Sequence, residues 1–99
     1  MDVEFADKEL ATAEKESTDF TRRYPADLYK IFLRRMQVIR AAVDERDFYA
    51  MRSLHFEKLK GDRSDERSMR LNDQWRLILK IKTGNPKNTV LICGIEDYH

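Results

Sequence analysis

The residues of this chain whose types suit chemistry are two arginines on predicted strands and a histidine at position 99. Arg70 and Arg76 fall on the polar face of two segments, 67–72 and 75–82, in which apolar and polar residues alternate. If the apolar face packs on helices, the opposite face presents both guanidinium groups in one cluster. Such a cluster can stabilise a phosphate group whose negative charge grows in a transition state.

Groups that can move protons are found at positions 97–99. Cleavage of RNA through a ribose 2′-hydroxyl needs a proton acceptor and a proton donor. His99 suits either task because the ordinary pKa of histidine lies near neutrality, and Asp97 and Tyr98 stand beside it. Lys60 can join the cluster, and His55 belongs either to the site or to a loop surface. A plainer reading is also open, since cations on an exposed sheet face are usually solvated and a terminal histidine usually frays.

Other chemistries have little support in the residue types. The chain has two histidines and one cysteine, Cys93, and these residues lack the spacing of metal ligands. The three glycines do not form a phosphate-binding loop, and nothing local suggests a serine or cysteine triad. We therefore expect no metal and no cofactor, and we expect Cys93 to be a small buried residue.

Length and charge indicate one globular domain, spanning residues 1–99, with an uneven charge distribution. Residues 1–21 carry two lysines against seven carboxylates, a net charge of −5, whereas residues 22–82 carry sixteen cations against nine carboxylates, a net charge of +7. A basic body suits a polyanionic partner, although it also suits a solvated surface. No apolar run approaches the roughly 20 residues of a membrane span, and the first residues do not resemble a secretory signal. We expect a cytoplasmic protein that does not enter a membrane.

Two helices followed by strands are predicted, which is an α+β arrangement. A short strand at 3–5 precedes a helix that Asp7 caps and that runs to about Ser17, with a break at 17–19. The second helix opens at Tyr24-Pro25 and runs to about Val43. Strands follow at 67–72, 75–82 and 90–95, with a hairpin loop at 83–88. The apolar face of the second helix is predicted to contain Leu28, Ile31, Phe32, Ile39, Ala42 and Val43, with Met36 near its boundary.

Three segments carry a resemblance to a known family. These are Leu59 to Arg63, which reads L-K-G-D-R; Ser68 to Leu77, which reads S-M-R-L-N-D-Q-W-R-L; and Ile95 to His99, which reads I-E-D-Y-H. In this order they resemble the HigB-type killer proteins of the RelE/ParE toxin superfamily, whose pattern is L-x-G, a variable turn, S-x-R-x-N-x-x-x-R and a closing I-x-D-Y-H. The Tyr24-Pro25 opening of a basic helix also fits. The likeness extends from Phe5 to His99.

The resemblance implies a RelE-like, microbial-RNase-like fold, with two N-terminal helices packed on a twisted antiparallel sheet. It implies ribosome-dependent cleavage of mRNA by acid–base catalysis, leaving a 2′,3′-cyclic phosphate and a 5′-hydroxyl. It further implies a role for each matching position: His99 acts as acid or base, Asp97 and Tyr98 support it, Arg70 and Arg76 stabilise the phosphate, and Lys60 or His55 assists. Arg67 is a weaker candidate because it alternates onto the face opposite Arg70.

The resemblance also implies partners, namely the ribosome, mRNA and a HigA-like helix-turn-helix antitoxin through which any contact with DNA would be indirect. Two alternatives stay open. One is a toxin that poisons DNA gyrase, as ParE relatives do on the same fold, since a fold does not decide a function. The other is a non-catalytic partner of a regulatory protein.

Overall fold

The computed structural model describes residues 1–97, and Tyr98 and His99 lie outside the described residues. Within residues 1–97, no helix is long and apolar enough to cross a lipid bilayer. Two short 3₁₀ turns, Arg52–Leu54 and Gly61–Arg63, lie on either side of residues 57–58. In chain order the strands and helices are β1 (Asp2–Phe5), α1 (Lys8–Ala13), α2 (Thr18–Arg23), α3 (Leu28–Ala41), α4 (Arg46–Ala50), β2 (Glu57–Lys58), β3 (Arg67–Arg70), β4 (Trp75–Lys82) and β5 (Thr89–Asp97).

The sheet has five strands in the order β1-β5-β4-β3-β2. All neighbouring pairs from β2 to β5 are antiparallel, and β1 alone pairs in parallel, with β5. The predicted α+β class is confirmed, with a sheet that is mostly antiparallel. The predicted hairpin loop at 83–88 is also confirmed, because β4 ends at Lys82 and β5 begins at Thr89.

The helical part contains more elements than the two predicted helices. Asp7 caps α1 as predicted, accepting hydrogen bonds from the backbone N–H groups of Glu9 (3.0 Å) and Leu10 (3.3 Å). However, α1 ends at Ala13, and the segment predicted as a break leads into α2. This short helix buries Phe20, whose ring packs among the aromatic rings of Tyr24, Tyr29 and Phe32. One buried side chain in six residues gives no periodic signal in a sequence.

The long helix α3 covers the sheet with a narrow apolar stripe. It buries Leu28, Phe32, Met36 and Ile39, which recur every three or four residues. Met36 is therefore inside the stripe rather than at its boundary. The prediction for Val43 was wrong: the backbone leaves the helix after Ala41, and the Val43 side chain is 77% exposed.

The core lies between the helices and one face of the sheet. It buries Met69 of β3, Leu77 and Leu79 of β4 and Ile92 of β5. The pairing of β4 with β5 shifts between Ile78 and Leu79, so that β5 carries one extra residue there, Cys93. Cys93 is half-buried rather than fully buried, and this burial raises the pKa of its thiol.

Candidate active site

Arg76 is the best-anchored cation on the face of the sheet that points away from the helices. Its neighbour Leu77 faces the core, so alternation turns Arg76 to the opposite side. Its Nε and Nη2 both donate to the hydroxyl oxygen of Ser68, at 3.1 and 2.7 Å. Nη2 also donates to the backbone carbonyl of His55 at 2.5 Å. Arg76 is only 5% exposed, so the sheet holds this guanidinium in place rather than leaving it as a solvated surface group.

A carboxylate compensates the buried charge of Arg76. Oε1 of Glu57, on the two-residue strand β2, lies 3.3 Å from Nη2 of Arg76. The Glu57 side chain is 54% exposed and thus sits at the rim, where solvent reaches it. Because an isolated buried charge is costly, this ion pair and the hydrogen bonds together make the burial of Arg76 tolerable.

A cavity of about 210 Å³ opens beside the Arg76 side chain. One part of its wall is apolar, and carboxylates, cations and one hydroxyl group form the remainder. The residues come from distant parts of the chain, so the cavity exists only when β3, β4 and β5 are paired. The lining residues are Leu59, Arg63, Ser68, Arg76, Ile78, Glu96 and Asp97.

Arg63 forms one wall of this cavity and was not among the residues predicted from the sequence. Its guanidinium makes two bonds to Glu96 (3.0 and 2.6 Å) and two to Glu66 (2.9 and 2.7 Å). The hydrogen bonds with Glu96 and then Glu66 raise the pKa of Arg63 above its usual value. The spacing of Arg63 and Glu66 was visible in the sequence, but the contact with Glu96 depends on where β5 lies.

Arg70 lies on the same face as Arg76, as the alternation predicts. The two residues are directly paired across β3 and β4. The Arg70 side chain is 33% exposed and is bound to Asp73, and it does not line the cavity. Nε of Arg35, from α3, donates to the Arg70 carbonyl at 2.8 Å. Burial and then the neighbouring charges, including Arg70, lower the pKa of Arg35. Positive charge is thus concentrated at this end of β3.

Of the remaining predicted site residues, some lie at the cavity and others do not. Asp97 ends β5 and lines the cavity, and its Oδ2 accepts a hydrogen bond from Nε2 of Gln74 at 3.2 Å. His55 contacts Arg76 through its backbone carbonyl; the residue itself is exposed and has a left-handed φ of 45°. Lys60 is exposed and does not line the cavity. The predicted roles of Tyr98 and His99 fall outside the described residues.

Arg67 points away from this site, as predicted from its position in β3. It pairs with Leu79, whose side chain is in the core. Its Nε lies 3.6 Å from Oε2 of Glu45, in the connection between α3 and α4. Arg67 therefore ties the sheet to the helices and takes no part in the cavity.

Among the described residues, no group of three or more histidine, cysteine, aspartate or glutamate side chains is arranged to hold a metal ion. The chemistry that these side chains support is electrostatic. A fixed guanidinium and a second arginine on the same sheet face can bind a phosphate oxygen, and groups near the end of β5 can exchange protons with a substrate.

Comparison with known families defines the class of this protein. Residues 3–99 match the model of a family described as the RelE-like toxin of the type II toxin–antitoxin system HigB. The chain belongs to this HigB-like family and is therefore the toxin of a type II toxin–antitoxin system, which implies an antitoxin partner. The resemblance drawn from the sequence motifs is thus confirmed.

Solved structures of other toxins share the fold. One is a YoeB/ParE toxin from Agrobacterium tumefaciens, with a TM-score of 0.62 and 14% sequence identity, the match covering 100% of both chains. Another is YafQ from E. coli strain BL21(DE3), with a TM-score of 0.55 and 15% identity, covering 97% of this chain and 91% of that one. A search of curated protein sequences gave no significant match. At such identities, the structural likeness establishes the fold alone.

Proposed function

We propose that this toxin is a ribosome-dependent endoribonuclease that cleaves mRNA through attack of a ribose 2′-hydroxyl on the adjacent phosphorus. The observation that carries the proposal is the buried Arg76 guanidinium, anchored by Ser68 at a cavity that Asp97 also lines. Since Tyr98 and His99 are joined to Asp97, we propose that they complete the site.

In the proposed reaction, the 2′-oxygen forms a bond to phosphorus while the bond from phosphorus to the 5′-oxygen breaks. A base takes the proton of the 2′-hydroxyl, and an acid protonates the departing 5′-oxygen, so the products are a 2′,3′-cyclic phosphate and a 5′-hydroxyl. His99 serves as acid or base, with Asp97 and Tyr98 supporting it. Arg76 and Arg70 stabilise the charge on the non-bridging oxygens, a contribution worth about 10²–10³ in rate per donor.

Lys60 and His55 have smaller parts in this proposal. Lys60 is solvent-exposed outside the cavity and can contribute positive charge when a long substrate approaches. The contribution of His55 that has a structural basis is its carbonyl, which fixes Arg76. Glu57 adds a constraint, since its carboxylate lies beside the same guanidinium and a bound phosphate must compete with it.

Dependence on the ribosome is proposed because the resemblance to HigB-type toxins implies it, and the small size of the described part of the cavity is consistent with it. Its volume of about 210 Å³ is below the roughly 300–1,000 Å³ of sites that enclose a drug-sized ligand. Such a site has room for a small part of a nucleotide chain and offers little binding energy to hold the rest. We propose that the ribosome holds the mRNA in position, which requires the toxin to act in the cytoplasm. DNA then enters the system only through a DNA-binding antitoxin.

Primer extension on a defined mRNA in a translating extract tests this function. Wild-type protein is expected to produce new 5′ ends that stop primer extension and that require ribosomes, whereas His99→Gln and Arg76→Lys lower cleavage by about 10²-fold or more. Arg76→Lys keeps the charge but loses the planar fork that binds two acceptors. Arg22→Ala is the matched control, because Arg22 lies on α2 and its side chain is 70% exposed. This variant should cleave normally.

Folding of each variant is checked by circular dichroism, so that a loss of cleavage is not a loss of structure. Intact mRNA with folded wild-type protein would overturn the proposal. A gyrase cleavage assay would then distinguish the gyrase-poisoning alternative, in which DNA breaks appear while mRNA survives. Normal growth of cells that express folded toxin alone would favour the non-catalytic alternative.

A further inference from the structure

A larger cavity lies on the helical side of the molecule, between the end of α3 and α4. Its volume is about 430 Å³, twice that of the cavity at Arg76. The apolar walls are formed by Val38, Ala41 and Ala42 on one side and by Ala50 and Met51 on the other. We call this cavity the α3–α4 groove. Its size falls within the range of preformed binding pockets.

Exposed apolar side chains concentrate around this groove. Within residues 1–97, the large hydrophobic residues that are exposed are Val43 (77%), Tyr49 (53%) and Met51 (41%). Val43 lies in the α3–α4 connection, Tyr49 lies in α4, and Met51 directly follows α4. Met51 lines the groove, and Val43 directly follows its wall residue Ala42. Isolated exposed hydrophobic residues are ordinary, but their clustering beside an apolar groove marks an interaction surface.

The shape of the groove is fixed by a local hydrogen bond. Oδ2 of Asp47, which also lines the groove, accepts from the backbone N–H of Val43 at 2.8 Å. This bond ties α4 to the chain that leaves α3. A preformed groove spares a ligand part of the ordering cost of binding.

Cations stand near both walls of the groove. Arg34 is exposed and lies one helical turn before Val38, on the same side of α3. Arg52 is exposed and directly follows Met51. Neither side chain forms an ion pair with another described residue, whereas Arg46 nearby is paired with Asp44. Apart from the Asp47 carboxylate, which accepts the hydrogen bond from Val43, the groove is apolar inside, and Arg34 and Arg52 make its edges basic. This combination complements an apolar segment flanked by carboxylates.

We propose that the α3–α4 groove is the docking site of the antitoxin, and that it takes an amphipathic helix whose apolar side chains enter the groove while acidic residues face Arg34 and Arg52. Helices bind in such grooves through apolar side chains spaced three or four residues apart. The proposal rests on the membership of a type II toxin family, which implies a protein partner. It does not depend on the proposed ribonuclease activity.

The location has a consequence for how the complex is built. Val38, Ala41 and Ala42 belong to α3 and its end, which packs on the core face of the sheet, whereas Arg76 is on the opposite face. A helix seated in the groove therefore contacts none of the cavity-lining residues at Arg76. The antitoxin binds the toxin on the helical side, and this contact by itself leaves the Arg76 cavity uncovered.

Titration of the purified toxin with its purified cognate antitoxin tests the proposal. Ala41→Glu puts a carboxylate into the groove at an exposed helical position, and we expect binding to weaken about 100-fold or more because the charge must be buried. Ala26→Glu, exposed and before α3, is the matched control and should bind as wild type does. Arg34→Glu combined with Arg52→Glu should also weaken binding and reduce its dependence on salt.

Unchanged affinity for Ala41→Glu, with a normal circular dichroism spectrum and melting temperature, would overturn the proposal. Sedimentation of the toxin alone provides a second test. A dimer that Ala41→Glu dissociates would assign the groove to a second copy of this chain and would likewise overturn the proposal. Because every readout is binding or assembly, failure here is distinct from failure of the ribonuclease proposal. Ala41→Glu should still cleave mRNA at the wild-type rate if that proposal holds.

Discussion

Replacing Ser68 by alanine tests whether the sheet holds Arg76 in the way the structure indicates. The substitution removes the oxygen that accepts hydrogen bonds from both Nε and Nη2 of Arg76. Ser68 is 2% exposed and Arg76 is 5% exposed, so water has little access to replace the lost acceptor. Hydrogen bonds to a charged group contribute roughly 1.5–3 kcal/mol. We therefore expect the free energy of unfolding to fall by about 2 kcal/mol.

For a domain of this size, a loss of 1 kcal/mol lowers the melting temperature by roughly 4–8 °C. The expected shift for Ser68→Ala is therefore about 8–16 °C. Thermal melting and urea unfolding measure the change, with Ser53→Ala as the control. Ser53 is an exposed serine in the 3₁₀ turn that precedes His55, and its loss should change stability by less than about 0.5 kcal/mol.

A functional measurement separates positioning from stability. At a temperature well below both melting transitions, the proposed cleavage should fall by up to about 100-fold in Ser68→Ala, because a displaced guanidinium no longer meets the phosphate. Ser68→Thr keeps the hydroxyl and should restore much of the rate. If the free energy of unfolding of Ser68→Ala lies within about 0.5 kcal/mol of the wild-type value, the reasoning is refuted, since Arg76 is then held by other contacts.

Three further predictions concern the cap of α1, a turn and the cavity wall. Asp7→Ala should lower the free energy of unfolding by about 1 kcal/mol at pH 7, measured by urea unfolding. Burial opposes ionisation of Asp7, but hydrogen bonds lower its pKa below the ordinary 3.8. The contribution of Asp7 to stability is therefore complete above pH 3.8 and disappears as the pH falls further. Gly61 has a φ of +70°, and Gly61→Ala should therefore destabilise by about 1–2 kcal/mol, whereas Gly94→Ala, which meets nothing within 4 Å, should not. Arg63→Ala should change stability by less than about 1 kcal/mol. It should slow the proposed cleavage about tenfold, because the Glu96 carboxylate is then left uncompensated near the phosphate. Adding Glu96→Gln should recover the rate, and a double variant that stays slow would contradict this explanation.

The central strand β4 was readable from the sequence because apolar and polar residues alternate along it, with Ile78 as the exception on the polar face. The segment 75–82 and the loop 83–88 have the predicted bounds, and Arg67 lies on the face that alternation assigns to it. The missed elements are those with too few residues for a period to show. Helix α2 has six residues and β2 has two, and tertiary packing rather than propensity decides such short segments.

The candidate site was predicted in part for the same reason. Alternation was enough to put Arg70 and Arg76 on one face, but it gave no sign that Arg76 is buried. Its burial depends on the carbonyl of His55 and on Glu57, both brought to it by the pairing of β2 with β3. The link from Arg63 to Glu96 spans 33 residues and requires the completed sheet. Contacts of this kind have no local pattern in the sequence.

The parallel pairing of β1 with β5 determines when this protein can fold during its synthesis. The first strand made pairs with the last, and β5 supplies part of the core under the helices. Until β5 has left the ribosomal exit tunnel, the sheet lacks this strand, and Glu96 and Asp97 are absent from the cavity. Such a long sequence separation delays folding until β5 has emerged. The folded toxin therefore forms only late in its synthesis, and an antitoxin that recognises the folded toxin can bind it only from then on.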